Sequence, residues 1–383
     1  MTTADLVRAR ALYPGAREHV YLNVAAIGLV STRVRDAVAI VLEEHVALGN
    51  AAGPRWTEAS DRARNRIAEL IGGRAANVAY TQNTSTGIAL VVNGIDWNEG
   101  DNVVVPAEEF PSNFYPWLEL RRRGVQVREV PMIAGHADLS RMSELIDART
   151  RVVAISAVQY TSGHRYDLAH VRGICGEALL VVDGTQAAGA LVIDADAAGI
   201  DALIISAHKW MLGPLGIGFV HFSDRAMNRL HPSTTGWLSV EHPFDFDHEP
   251  RLASDARRFE SGTINAAGIA GLEAAISIVL ELGRQTVETT VLGHAAELQQ
   301  LLISRGLRVL RSSNPGECSG IVITSTADRG ADAAVYERLT GRDVRCSLRV
   351  TGIRFSPHYY NSAEDLRHAA AAIDTIGPKG SGV

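Results

Sequence analysis

Lysine is almost missing from this chain. Of its 37 basic residues only Lys209 and Lys379 are lysines. Chemistry that needs a side-chain primary amine therefore has one candidate in the body of the chain, because Lys379 lies in a glycine-rich terminal stretch. Cysteine is scarce as well. Cys175, Cys318 and Cys346 are far apart and lack CxxC spacing, which argues against a disulfide framework and for a reducing cytoplasm, with no metal expected. No stretch approaches the roughly 20 apolar residues that span a bilayer, and Met1 to Arg10 carries no apolar run of the signal-peptide kind. Basic clusters are absent except for Arg121-Arg122-Arg123, which reads as a solvated helix end. With a net charge of -6, nucleic acid is not an expected partner.

What is present is ordinary for a soluble globular protein, with 46% apolar and 21% charged residues. A length of 383 residues suggests one large domain and a smaller one. Short β-branched runs alternate with helical stretches through the first two-thirds. Expected strands are Val78–Thr81, Asn102–Val105, Gln126–Val130, Val152–Ser156, Leu179–Asp183, Ala202–Ser206 and Gly216–Phe222. Several are almost wholly apolar, as buried strands of a mainly parallel sheet should be. Helical patterns at Ala59–Ile71, Phe114–Gly124 and Leu139–Ala148 fill the gaps, which predicts α/β organisation with helices on both faces. Thr234 to Arg258 has no period and reads as an irregular loop, lining either a pocket mouth or a dimer surface. Two long helices, about Ala266–Leu282 and Gln285–Arg305, lead to a strand-strand-helix-strand-strand-helix pattern over Leu307–Ile376, a small α+β domain. The expected division is a segment 1–20 packing on the small domain, a large domain 21–265, linking helices and small domain 266–376, and a disordered tail 377–383.

One stretch carries chemistry. An apolar strand ends in Asp183-Gly184-Thr185-Gln186, and the next ends in Ser206-Ala207-His208-Lys209-Trp210. Ligands of α/β sheets sit at the carboxyl ends of the strands, so Asp183 and Lys209 would share one crevice. Singly, each has a bland reading, a helix-capping aspartate and a surface lysine. Together they are what pyridoxal phosphate (PLP) chemistry needs. The amine condenses with the aldehyde as a Schiff base, and the carboxylate keeps the pyridine nitrogen protonated so that the ring accepts electrons from the substrate's Cα. The freed lysine can then move protons at Cα.

Here the motifs reach a family. Val182–Gln186 with Ser206–Trp210, then Phe259-Glu260-Ser261-Gly262-Thr263-Ile264-Asn265, then Arg354–Asn361, resemble the class V aminotransferase and cysteine desulfurase family of fold-type I PLP-dependent enzymes. The resemblance spans about Tyr21 to Ile376. It implies a mainly parallel seven-stranded sheet with helices on both faces plus a smaller α+β C-terminal domain. It also implies roles. Thr84 and Ser85 would bind the cofactor phosphate at a helix N-terminus, with a plain N-cap as the alternative, and Ser206 and His208 would reach it too. Gln186 would contact the phenolic oxygen. Thr263 would reach the phosphate of the neighbouring subunit, which makes a homodimer the expected active unit. Arg354 would grip the substrate carboxylate, and Asn113 is a further substrate-binding candidate. Phe110 falls where the family stacks a ring on the cofactor. Gln159 or Tyr160 would face the cofactor, the alignment being ambiguous by one residue, and Tyr160 is a candidate general acid.

A desulfurase needs a nucleophilic cysteine on a loop well upstream of the carboxylate-binding arginine. Cys346 lies too close to Arg354, with a strand and a tight turn between them, and reads as a small core hydrophobe. The resemblance therefore implies a branch without that cysteine, C–S lyase or isopenicillin N epimerase-like. β-Elimination of a cysteine S-conjugate in a natural-product pathway ranks first. Decarboxylating or oxidative deamination, epimerisation, transamination and a non-catalytic PLP-fold module are the alternatives.

Overall fold

The computed structural model describes residues 3–373. The expected tail 377–383, and with it Lys379, lies outside the described residues. Seven strands form the central sheet: β1 (Val78–Thr81), β2 (Asn102–Pro106), β3 (Gln126–Val130), β4 (Thr150–Ser156), β5 (Leu179–Asp183), β6 (Ala202–Ser206) and β7 (Gly218–Phe222). Their order is β1-β7-β6-β5-β4-β2-β3. Only β7 runs against its neighbours, β1 and β6, and every other pairing is parallel. The carboxyl ends of the other six strands therefore share one edge.

The apolar runs become strands because both faces of the sheet are covered. Leu180 and Val182 point into one core with Leu203, Ile205 and Phe219. Leu179 and Val181 alternate into the other with Ala202, Ile204 and Val220. This period of two is the geometry of the pleat. The helices over the first face are α2 (Thr32–Leu48), α3 (Gly53–Ile71) and α5 (Ala266–Leu282), with α1 (Thr3–Ala11) preceding them in the chain; α4 (Thr84–Gly94) covers the second face. Gly87 lets α4 settle onto β6, since a Cβ there would meet Ile204 Cγ2 at 2.5 Å.

A third core belongs to the C-terminal part. It packs α6 (Arg284–Ile303), α7 (Arg329–Gly341) and α8 (Ala363–Ala371) on an antiparallel sheet of β8 (Arg308–Leu310), β9 (Val322–Ser325), β10 (Ser347–Arg349) and β11 (Gly352–Phe355), ordered β8-β9-β11-β10. The N-terminal segment docks on this part. Arg10 holds Asp365 in a two-pronged pair at 2.6 and 3.1 Å, and Val20–Tyr21 pairs in parallel with Val344–Arg345. Among the described residues no single helix is long and apolar enough to cross a membrane. The stretch 234–255 holds neither helix nor strand, only a bridge between Val240 and Leu252, and it exposes Trp237, Phe244 and Phe246.

A candidate active site at the carboxyl edge of the sheet

The edge collects the chemistry-bearing side chains. Asp183 ends β5, and its neighbour across the sheet is Ser156 at the end of β4. Lys209 follows β6 by three residues. The turn after it is tight, with Leu212 in the left-handed region at a φ of 55°, an uncommon conformation for a side-chain-bearing residue and a device for holding a functional loop. Two further segments pin this loop. Gly28 crosses it from the N-terminal side and donates its amide to the His208 carbonyl at 2.8 Å; a Cβ on Gly28 would lie 2.4 Å from the Lys209 carbonyl oxygen. His358, fully buried, donates from Nε2 to the Trp210 carbonyl at 2.9 Å while its Nδ1 accepts from the Tyr359 amide. That pattern fixes one neutral tautomer, and burial holds the ring's pKa down to about 3.

Burial dominates the electrostatics. It raises the pKa of the Asp183 carboxyl, against hydrogen bonds from Thr185 and the Lys209 charge, which lower it. It brings the Lys209 ammonium down to about 8, against Asp183, and with help from the positive charges of Arg354 and Arg349. An amine with a pKa near 8 is partly neutral at physiological pH, the state that attacks a carbonyl or takes a proton. Lys209 Nζ lies 5.0 Å from the Phe110 ring centroid, and Tyr160 packs edge-on to Phe110 at 5.3 Å.

Gln159 and Tyr160 divide the roles that the sequence left open. Gln159 is fully buried, its Oε1 accepts from the Tyr160 amide, and its Nε2 has no partner. A buried amide donor without a partner costs about 1–3 kcal/mol, so it is a place where a bound group is wanted. Gln186, expected at the cofactor's phenolic oxygen, bonds within the protein at both ends of its amide. Its Oε1 accepts from the Trp210 indole at 2.7 Å and its Nε2 donates to the Ala25 carbonyl at 3.1 Å. The buried indole N–H needs an acceptor, and Gln186 supplies it.

Thr84 and Ser206, expected at the cofactor phosphate, contact each other. Both hydroxyls are buried and bond each other at 2.8 Å, and Thr84 also bonds Thr185 at 2.8 Å. Ser206 Oγ accepts the Thr84 amide. They tie the start of α4 to the end of β6. Asn83 caps the helix through the Thr86 amide. Ser85 is left at the rim, exposed, with its hydroxyl on Ser112 at 2.9 Å and its first-turn amide without a carbonyl inside the helix to bond. His208 is half-buried, and burial followed by the Lys209 charge lowers its pKa. Asn113 is fully interior and accepts from the Trp117 indole at 3.3 Å, while its Nδ2 has no hydrogen-bond partner. Thr263 lies exposed before α5.

Arg354 is the strongest unsatisfied feature. It is 2% exposed. Its Nη1 reaches the Tyr160 carbonyl at 3.4 Å, while Nε and Nη2 have no partner. Burial, then Arg349, lowers its pKa to about 10. A buried guanidinium fork with two idle donors asks for a carboxylate. Together, the Asp183 carboxyl, the Lys209 amine, the Phe110 face, the Gln159 amide, and the Ser85 amide and hydroxyl at α4 fit a flat ring with a protonatable nitrogen and a phosphate tail.

Glu109 was not assigned from the sequence. Its carboxyl is buried beside Asp183, with Oε1 accepting the Ser156 amide at 2.6 Å and Oε2 accepting the Ser156 hydroxyl at 2.5 Å. Burial pushes it up to about 7, with Asp183 adding to the rise and the Ser156 and Asn113 contacts opposing it. The folded protein thus keeps a proton that the unfolded chain loses near 4.5. Where the native state binds more protons, stability falls as pH rises. From pH 4.5 to 7 this one group should lower stability by roughly 3 kcal/mol, at 1.36 kcal/mol per pK unit. Glu109→Gln is expected to flatten that fall in the cofactor-free protein, leaving a smaller slope of the same sign from Asp183. Urea midpoints at pH 5 and 7.5 read it; identical slopes in the two proteins would remove Glu109 from the titration.

Comparisons with known proteins find similarity along nearly the whole chain. The class-V aminotransferase family model matches residues 20–368. A probable cysteine desulfurase of Methanothermobacter thermautotrophicus is 30% identical, over 99% of this chain and 99% of that protein. An uncharacterized aminotransferase of Bacillus subtilis is 27% identical over 97% of each. Among solved structures, a cystine C–S lyase in complex with its product cysteine persulfide superposes with a TM-score of 0.87 at 23% identity, covering 96% of this chain and all of that one. The cysteine desulfurase of Thermococcus onnurineus NA1 gives a TM-score of 0.85 at 23% identity over 96% of each chain.

Proposed function

Because the chain belongs to the class-V aminotransferase family and is a PLP-dependent enzyme, we propose that it cleaves the C–S bond of a cysteine S-conjugate by β-elimination. The observation that carries this reading is the position of its thiols. Cys346 is 5% exposed in the small-domain core, where burial pushes its pKa up to about 12. Cys175 is buried against the Val171 carbonyl and pushed up to about 11. Cys318 is buried as well. Between β10 and β11 only Val350 and Thr351 remain, too few for a loop that carries a nucleophile. Without a protein thiol to accept sulfur, the sulfur must leave with the rest of the substrate.

In this reading Asp183, Gln159, Phe110, Ser85, His208 and Lys209 hold the cofactor, and Arg354 takes the α-carboxylate. When bound, the cofactor supplies an electron sink for the bond electrons at Cα. Lys209 Nζ, partly neutral at pH 7, takes the Cα proton. Arg354 orients Cα toward it, and Phe110 covers one face of the site. Tyr160 has its pKa raised, by burial first and then by Glu108 and Glu109, so it keeps its proton and can hand it to a departing sulfur. The balance is one S-conjugate and one water giving one thiol, one pyruvate and one ammonium. Natural-product metabolism and the cytoplasm are the proposed setting. A homodimer is the proposed unit, supported by the exposure of Thr263 and of the aromatic loop at Trp237, Phe244 and Phe246.

The test follows pyruvate, thiol, ammonia and carbon dioxide separately from a panel of cysteine S-conjugates. Equal pyruvate, thiol and ammonia without carbon dioxide is expected. Carbon dioxide would turn the reading to decarboxylation, and alanine from free cysteine would turn it to desulfuration. Cys346→Ala should keep turnover within about two-fold and cost about 1 kcal/mol of stability or less, the scale of a small buried group. A variant that binds cofactor but loses sulfur release would restore the cysteine to the mechanism.

A further inference from the structure

Building on the proposed grip of Arg354 on an α-carboxylate, we infer that the substrate carries a second anionic group, and that Arg349 receives it. The register of the hairpin places the two arginines together. Arg354 stands opposite Ser347, and Arg349 opposite Gly352. Residues opposite each other and residues two apart on a strand share a face, so Arg349 and Arg354 are diagonal neighbours, with Cβ atoms about 7–8 Å apart or a little less. The other face belongs to the small-domain core through Ile353 and Phe355. The arginine face therefore turns toward the large domain, where the Thr351 hydroxyl reaches the Thr161 carbonyl at 3.4 Å and Arg354 reaches the Tyr160 carbonyl.

Arg349 is exposed, and no hydrogen bond or ion pair holds it among the described residues. Arg345, on the preceding strand, by contrast bonds Asp343 at 3.0 Å. Yet Arg349 is close enough to act on three groups of the site, Lys209, Arg354 and Tyr160. Among the described residues Asp183 is the acid that acts on Lys209, and the groups acting on Arg354 are Arg349 and Tyr160. Glu108 and Glu109 act on Tyr160. The site thus carries two guanidiniums and an amine, with the carboxyls of Asp183 and Glu109 buried together at its floor and the exposed Glu108 acting on Tyr160. One α-carboxylate answers Arg354 and leaves Arg349 open. An amino acid with a distal carboxylate, such as a carboxyalkyl conjugate, answers both, whereas a distal ammonium would meet repulsion.

Amino acids that have no leaving group report binding alone. The holoenzyme is titrated spectrally with L-norleucine, L-2-aminoadipate and L-lysine, and with the shorter set L-norvaline, L-glutamate and L-ornithine. Each distal anion is expected to bind about five-fold tighter than its apolar counterpart, the upper range of an exposed ion pair, and each distal cation weakest. Arg349→Ala should erase the preference and leave norleucine unchanged. Arg349→Lys should keep part of it, and Arg349→Glu should favour the cations. Arg354→Ala should weaken all ligands alike. Equal binding of anionic and apolar ligands in the wild type, or an Arg349→Ala loss shared by norleucine, overturns the inference while the α-carboxylate reading stands. If no amino acid binds, the α-carboxylate reading fails, and this inference with it.

Discussion

Replacing Lys209 by alanine is expected to leave a folded protein that neither fixes the cofactor covalently nor turns over any amino acid. Two losses combine. The amine is the covalent anchor, and it is also the base placed for the Cα proton, a role worth about 10²- to 10⁴-fold by itself. Borohydride reduction followed by peptide mapping should find the cofactor on Lys209 in the wild type and nowhere in the variant. A reducible adduct on Lys379, or on no residue of the wild type, would sink the assignment.

The same substitution should not weaken the fold. Burial moves the Lys209 pKa from 10.5 to about 8, so the native site disfavours the charged form. Between those values the unfolded chain binds more protons than the native one, and wild-type stability rises with pH. Below pH 8 the penalty is fully present, about 3 kcal/mol at 1.36 kcal/mol per unit. Lys209→Met, which keeps the buried stem, should recover much of that at pH 7 in the cofactor-free protein and should lose the rise between pH 8 and 10. A catalytic amine held at the expense of stability is the signature of a functional site. A variant less stable than the wild type at pH 7 would make Lys209 a structural residue.

The strands and the Lys209–Asp183 pair were legible in the sequence because their signals are local. An apolar β-branched run such as Leu179–Val182 has few other ways to exist than as a strand covered on both faces, and a polar residue at its end falls on the ligand edge. Helix α5 shows its bounds for a similar reason, since Asn265 caps it and Gly283 follows it. What stayed hidden depends on partners distant in the chain. The bonds of Gln186 to Trp210 and Ala25 join residues 24 and 161 positions away in sequence. Thr84 and Ser206 belong to different strands' ends, and only the packing of α4 on β6 shows that their hydroxyls satisfy each other. Glu109 stands beside Phe110 in sequence, yet its meaning comes from Ser156 and Asp183, which the sheet brings alongside. A pair of adjacent glutamates reads as a solvated turn; that one of them is buried could be suspected only from the apolar stretch that precedes it. Arg349 shared a short hairpin with Arg354 in the sequence, but the register, not the spacing, puts the two on one face.

Arg354→Ala gives the clearest test of what the site binds. The side chain is buried with two idle donors, and its one hydrogen bond among the described residues is a long one to the Tyr160 carbonyl. Truncation therefore removes little that holds the fold together. It relieves a buried charge without a partner, so the cofactor-free protein should be as stable as the wild type or more so. Catalysis should respond in the opposite direction. A charge-assisted, two-pronged contact is worth roughly 1.5–3 kcal/mol, so kcat/KM on amino acids should fall about 10- to 150-fold. Lysine at this position keeps the charge without the fork and should restore part of the loss. The loss should be large for carboxylate-bearing substrates and small for the corresponding decarboxylated amines. A β-eliminase keeps the carboxylate through the chemical step, so Arg354 should hold ground and transition states alike and the loss should sit mainly in KM. A decarboxylase must release that carboxylate and gains from a looser grip, so its kcat should hold or rise as KM weakens. Equal losses on acids and amines, or a variant that unfolds more readily, would make Arg354 a structural residue and leave the α-carboxylate without a receptor.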